Sequence, residues 1–145
     1  MALSAGTPAP AFTAKDDAGN SISLSDYKGK TVVLYFYPKD DTPGCTKEAC
    51  SFRDAHETYQ SKDVVVLGVS MDDSSSHQAF KQKYGLPFTL VADPDGAITN
   101  AYDVSGGGYS KRVTFVINGE GVIDQVIDSV KTDTHAADIL AGLGL

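Results

Sequence analysis

Thr31-Val-Val-Leu-Tyr-Phe-Tyr-Pro-Lys-Asp-Asp-Thr-Pro-Gly-Cys-Thr-Lys-Glu-Ala-Cys50 is the stretch that decides how this chain folds. Its first seven residues are β-branched or aromatic without polar alternation, the pattern of a central strand buried on both faces. Pro38 cannot donate to a sheet ladder and ends the strand. Thr42 suits an N-cap and Pro43 the first helical position, so a helix begins there. As a cap, the Thr42 hydroxyl is expected to accept from the N–H of Cys45. Cys45, Ala49, Phe52, His56 and Tyr59 then fall on one helical face, which turns Cys45 towards the sheet.

Towards the N-terminus, Ala11-Phe12-Thr13 and Ile22-Ser23-Leu24 flank Asp17-Ala18-Gly19-Asn20 and read as a hairpin of two weak strands. Ser25 to Gly29 reads as one helical turn closed by glycine. Towards the C-terminus, Val64 to Ser70 is a second buried strand. Ser74 to Tyr84 is a helix with His77, Phe80 and Tyr84 inward. Phe88 to Val91 is a third strand and Asp95 to Tyr102 a short helix. Arg112 to Ile117 and Val122 to Ile127 form a hairpin across Asn118-Gly-Glu-Gly121, and Asp133 to Leu143 closes the chain as a helix. This order predicts a single α/β domain over residues 1–145. Its architecture is a thioredoxin-like sandwich, a mixed central sheet flanked by helices on both faces, with an N-terminal β-hairpin.

The chain has 145 residues, 41% hydrophobic and 21% charged, with a net charge of −7. That acidity, with lysines and arginines scattered, argues against nucleic acid or an anionic membrane as partner. No apolar run approaches the ~18 residues of a membrane span. The first residues lack the basic and apolar regions of a secretory signal. The expected location is the cytoplasm, or an organelle stroma or matrix if a transit segment has been removed. In a reducing compartment the two cysteines are catalytic or metal-binding rather than a structural staple. Zinc is not expected, because His56, His77 and His135 fall in no paired ligand motif. Gly106-Gly107-Gly108 is read as a flexible loop and not as a phosphate cradle.

A free thiol has a pKa near 8.5, so roughly 3% is thiolate at pH 7. A helix N-terminus favours the anion, and a nearby guanidinium favours it more. Arg53 and Arg112 are the two arginines. Arg112 opens the apolar strand Arg-Val-Thr-Phe-Val-Ile, where a charge needs a partner, whereas Arg53 is expected to be exposed. Pro38 is expected to shield the thiolate from water, and Glu48 to pair with Arg112 behind it. Cys50 lies five residues after Cys45, offset ~7.5 Å along an intact helix and rotated ~140°. That separates the Cα atoms by nearly 9 Å, beyond the ~7 Å limit for a disulfide. The two can bridge only if the first turns of the helix unwind.

These residues resemble the peroxiredoxins, specifically the Q-type branch of bacterioferritin comigratory proteins. Pro38, Thr42 and Cys45 match a P-x-x-x-T-x-x-C signature, Gly44 to Cys50 is similar to the branch's active-site helix, and Arg112 matches the family's arginine. Gly6-Thr-Pro-Ala-Pro-Ala-Phe12 and Asp26-Tyr-Lys-Gly-Lys30 extend the likeness over essentially the whole chain. The resemblance implies a thiol peroxidase in which Cys45 is the peroxidatic cysteine and becomes a sulfenic acid. Arg112 and Thr42 would hold the peroxide, hydrogen peroxide or an alkyl hydroperoxide. Cys50 would resolve the sulfenic acid as an intramolecular disulfide, which thioredoxin or a related dithiol would reduce. It implies no cofactor and no metal, and makes a second subunit unnecessary, so a monomer is expected. The Ser105–Ser110 loop is shorter than many members carry, and the chain has no Trp. Two other readings share features. A thioredoxin-type oxidoreductase wants C-x-x-C, and a non-enzymatic redox sensor would use the same Cys45–Cys50 switch without turnover.

Overall fold

The computed structural model describes residues 2–143. Strands β1 (Thr13–Asp16), β2 (Ser21–Ser23), β3 (Thr31–Phe36), β4 (Val64–Ser70), β5 (Thr89–Ala92), β6 (Val113–Ile117) and β7 (Ile123–Ile127) form one mixed sheet. Their order is β2-β1-β5-β4-β3-β6-β7. The central β5, β4 and β3 run parallel, while β6 lies antiparallel beside β3. The helices are α1 (Pro43–Asp54), α2 (His56–Ser61), α3 (Ser74–Tyr84), α4 (Ala97–Ala101) and α5 (His135–Gly142).

The apolar run of β3 is buried on both sides, and its alternate residues feed two cores. Val33, Tyr35 and Tyr37 pack with Cys45, Ala49, Phe52, Tyr59, Phe80, Ala136 and Ile139. Val32, Leu34 and Phe36 pack with Ile98, Tyr102, Val104 and Phe115. The helices are thus shared unevenly. Side chains from α1, α2, α3 and α5 meet on the first face. On the second, α4 is joined by the 3₁₀ turn Leu24–Tyr27 and by Leu3, Ala9 and Phe12.

Three expectations shift. The first hairpin strand lies at Thr13–Asp16 and not at Ala11–Thr13. The turn sets this register, because Asp16 Oδ1 accepts from the backbone N–H groups of Ala18 and Asn20, each at 2.9 Å. The hairpin also joins the main sheet, with β1 antiparallel to β5. The long helix after Pro43 is interrupted at Ala55 (φ −95°, ψ 3°), so α2 is a separate piece. Its Tyr59 still reaches the core and donates to the Ala136 carbonyl at 2.7 Å. The Gly106–Gly108 stretch is a closed turn. Ser105 bridges Ser110, the N–H of Gly106 donates to the Tyr109 carbonyl at 2.8 Å, and the Tyr109 ring lies over Gly106.

Candidate active site

The site forms where the end of β3, the start of α1 and the start of β6 meet. Cys45 occupies the first turn of α1 and is 1% exposed. Thr42 and Pro43 lie before it, so the N–H groups of Gly44 and Cys45 have no acceptor within the helix. Arg112, one residue ahead of β6, reaches across the sheet edge. Its Nη2 donates to Cys45 Sγ at 3.3 Å and its Nη1 to Glu48 Oε1 at 2.7 Å. One guanidinium therefore grips two residues spaced a helical turn apart on the inner face of α1. The contact sets a permanent positive charge directly against the sulfur.

The guanidinium lies against Gly44. A Cβ at that position would come 3.0 Å from Arg112 Nη2, so the glycine provides a close approach that a side chain would obstruct. Burial alone would lower the Arg112 pKa, but the Glu48 carboxylate and the Cys45 sulfur raise it above the ordinary value. Glu48 is fully buried, and burial outweighs the opposing pull of Arg112, raising its pKa from 4.5 to about 7. Its second oxygen, Oε2, has no hydrogen-bond partner among the described residues. His135 Nε2 lies 3.7 Å from it and 2.7 Å from Thr114 Oγ1. Burial, reinforced by Arg112 and opposed by Asp138, pulls the His135 pKa down to about 4, which leaves the ring neutral at pH 7.

Thr42 has the extended backbone of an N-cap (φ −99°, ψ 156°), but its hydroxyl does not bond into the helix. It donates instead to the Lys39 carbonyl at 2.9 Å. Asp41, in the left-handed region at φ 56°, turns the chain just before it and sets that direction. The Thr42 oxygen keeps its acceptor lone pairs for another donor. Pro38 is half-buried two residues past the end of β3. Cys50 is half-buried in the middle of α1, and both thiols are free. With α1 continuous from Pro43 to Asp54, helix geometry keeps the two cysteines nearly 9 Å apart, too far to bridge. Arg53 is half-exposed and bonds Asp54 and the Tyr84 carbonyl, away from Cys45.

Sequence reasoning missed a second cluster beside the loop that leads into α1. Asp40 Oδ1 accepts from Tyr37 Oη at 2.5 Å. Asp40 Oδ2 accepts from Ser76 Oγ at 2.8 Å and faces His77 Nδ1 at 2.7 Å. Asp72 Oδ2 takes the N–H of Asp40 at 2.8 Å and the Ser70 hydroxyl at 2.6 Å. Ligand-type atoms of Asp40, Asp72 and His77 lie within 4.8 Å of one another, but these oxygens are already engaged by protein donors. The only local signal for this cluster is His77 on the inner face of α3.

The sheet order and the guanidinium-gripped thiol define a peroxiredoxin-type thiol peroxidase. Comparison with known proteins narrows the class. Residues 5–126 match the AhpC/TSA family. A bcp-type peroxiredoxin of Coxiella burnetii is 50% identical over 99% of this chain and 100% of its own length. The crystal structure of a peroxidoxin from Mycobacterium tuberculosis superposes with a TM-score of 0.90 at 32% identity, covering 98% of this chain and 97% of that one. The bacterioferritin comigratory protein of Xanthomonas campestris, studied for its alkyl peroxide reduction activity, gives a TM-score of 0.85 at 35% identity over 92% of this chain and 90% of that one. The chain belongs to the AhpC/TSA family, in its Bcp/peroxiredoxin Q branch, and its activity is that of a thiol peroxidase acting on peroxides. No helix among the described residues is long and apolar enough to cross a membrane.

Proposed function

We propose that this chain is an atypical two-cysteine peroxidase that resolves within one subunit and is recycled by thioredoxin or a similar dithiol. The Arg112 guanidinium bonded to Cys45 Sγ at the start of α1 carries this reading. The Cys45 thiolate attacks one peroxide oxygen. The S–O bond forms, the O–O bond breaks, and the departing oxygen leaves as water or alcohol once protonated. Arg112 meets the charge that develops on the oxygens, and the free lone pairs of Thr42 Oγ1 accept from the peroxide hydrogen. The low exposure of Cys45 restricts the approach of water, and in this reading Pro38 adds to that shield. Resolution follows when the first turns of α1 unwind. The Cys50 thiolate attacks the sulfenic sulfur, the S–S bond forms, and the S–O bond breaks to release water. A dithiol then reduces the disulfide and is itself oxidised.

Incubation with hydrogen peroxide, thioredoxin, thioredoxin reductase and NADPH should sustain NADPH loss over many turnovers. Cys50→Ser should consume one equivalent and then stop, leaving a sulfenic acid that dimedone tags. Stoichiometric oxidation of the unaltered protein without turnover would make it a redox sensor. Absence of the dimedone adduct would remove Cys50 as the resolving thiol. The scheme needs no second subunit, and a reducing compartment such as the cytoplasm or an organelle stroma suits it.

A further inference from the structure

α3 carries no residue of the peroxidatic set, yet it grips both aspartates of the loop before Cys45. Buried His77 and the neighbouring Ser76 hold Asp40. At the surface, Lys83 Nζ and Tyr84 Oη hold Asp41 at 2.7 and 2.6 Å. Asp40 is 8% exposed and His77 is fully buried, so the deeper pair is shielded from water.

The proton positions in that pair follow from its partners. His77 Nε2 faces the Val91 carbonyl at 2.9 Å, and a carbonyl only accepts, so Nε2 carries a hydrogen. A neutral ring would then present a bare Nδ1 to the Asp40 carboxylate at 2.7 Å, two acceptors without a proton between them. The pair therefore holds an additional proton, either on His77 as an imidazolium or on Asp40. The charged and titratable groups facing His77 are Asp40 from the loop, Asp72 after β4 and Tyr37 at the end of β3. Burial opposes the imidazolium, but Asp40, the Val91 carbonyl and Asp72 together raise the His77 pKa above its ordinary value.

We propose that Asp40 and His77 are positioning residues for the peroxide step. Their proton-sharing bond fixes residues 38–42 against α3, so that Thr42 and the first turn of α1 meet the peroxide in one geometry. The side-chain hydrogen bonds of the pair go to Tyr37, Ser76 and the Val91 carbonyl, and that of the sulfur to Arg112. The pair acts through the loop, in which Thr42 bonds the Lys39 carbonyl next to Asp40. It also stands outside α1 and remains in place while that helix unwinds and rewinds. This inference rests on the peroxidase reading given above.

The test is the second-order rate of Cys45 oxidation by hydrogen peroxide in a single turnover, quenched by alkylation and read by mass. His77→Gln cannot satisfy Val91 and Asp40 together. It should slow oxidation about 10- to 100-fold, the scale on which a misplaced reacting group loses rate. Ile98→Ala opens a cavity in the core on the opposite face of the sheet and controls for lost stability. Its oxidation rate should stay at that of the unaltered protein. Asp40→Asn can donate an amide N–H to a neutral His77 Nδ1 and so rebuild the bond, because without the aspartate burial favours the neutral ring. Its rate at pH 7 should stay near that of the unaltered protein, whereas Asp40→Ala, with no amide to offer, should slow as His77→Gln does. The proposal is overturned if His77→Gln oxidises as fast as Ile98→Ala, or if Asp40→Asn is no faster than Asp40→Ala. Failure of the peroxidase reading looks different, because the unaltered protein would then not consume peroxide at all.

Discussion

The two halves of α1 are held by different forces. From Pro43 to Cys50 the helix is fastened by the guanidinium of Arg112 on Cys45 and Glu48 and by only two small core side chains, Cys45 and Ala49, and it buries a Glu48 oxygen with no hydrogen-bond partner among the described residues. From Ser51 to Asp54 it is fastened mainly by packing. Phe52 stacks on Tyr35 with ring centroids 4.7 Å apart and meets Tyr59, Phe88 and His135 edge-on. The Ser51 hydroxyl accepts from the N–H of Ala136, and Arg53 donates to the Tyr84 carbonyl. A buried ion pair adds little net stability after desolvation, whereas burying an aromatic ring adds several kcal/mol. In the proposed mechanism the half that opens is the more weakly held one, and the boundary falls just after Cys50.

The largest effect expected in the first half comes from Cys45→Ser, which should abolish peroxide consumption; near-normal activity in the coupled assay would contradict the role assigned to this thiol. Arg112→Ala should reduce the rate of peroxide reaction by about 10²–10³, the usual scale for losing one preorganised donor to a developing anion. An unchanged rate would detach Arg112 from the sulfur. Gly44→Ala forces the guanidinium to yield by a few tenths of an ångström. A loss of about tenfold is expected in the same assay, smaller than for Arg112→Ala because the charge remains.

The smallest effect is a pH slope. A carboxyl whose folded pKa lies above its unfolded value stabilises the fold while protonated. For Glu48 that contribution is complete below about pH 4.5 and is gone once pH rises past about 7. Glu48→Gln should therefore remove a decline in stability on the order of 3 kcal/mol across this window, read by urea unfolding at successive pH values. Parallel slopes in the two proteins would mean that Glu48 is not strained by burial.

The contrast also explains what could be read from the chain. β3 and the start of α1 were legible because their signals are local, a run of β-branched and aromatic residues followed by Thr42-Pro43. The nearness of Arg112 to Cys45 came through the family motif, since nothing within the helix marks a partner 67 residues away. The Asp40–His77 pair spans 37 residues and leaves no pattern in either segment. The Thr42 hydroxyl was misdirected because a capping rule cannot anticipate the left-handed Asp41 before it. Nor does the break at Ala55 show in composition, since alanine is a strong helix former.

Hydrogen exchange on the protein oxidised with one equivalent of peroxide tests the division of α1 most directly. Mass spectrometry first establishes whether the Cys45–Cys50 disulfide lies within one chain. The backbone amides of residues 46–54 donate to carbonyls 42–50 and should then lose their protection on oxidation, while that of Ala55, which donates to the Ser51 carbonyl, keeps it. Retained protection across residues 46–50 in the disulfide form, or loss of protection at Ala55 and beyond, would contradict an opening confined to the first half of the helix.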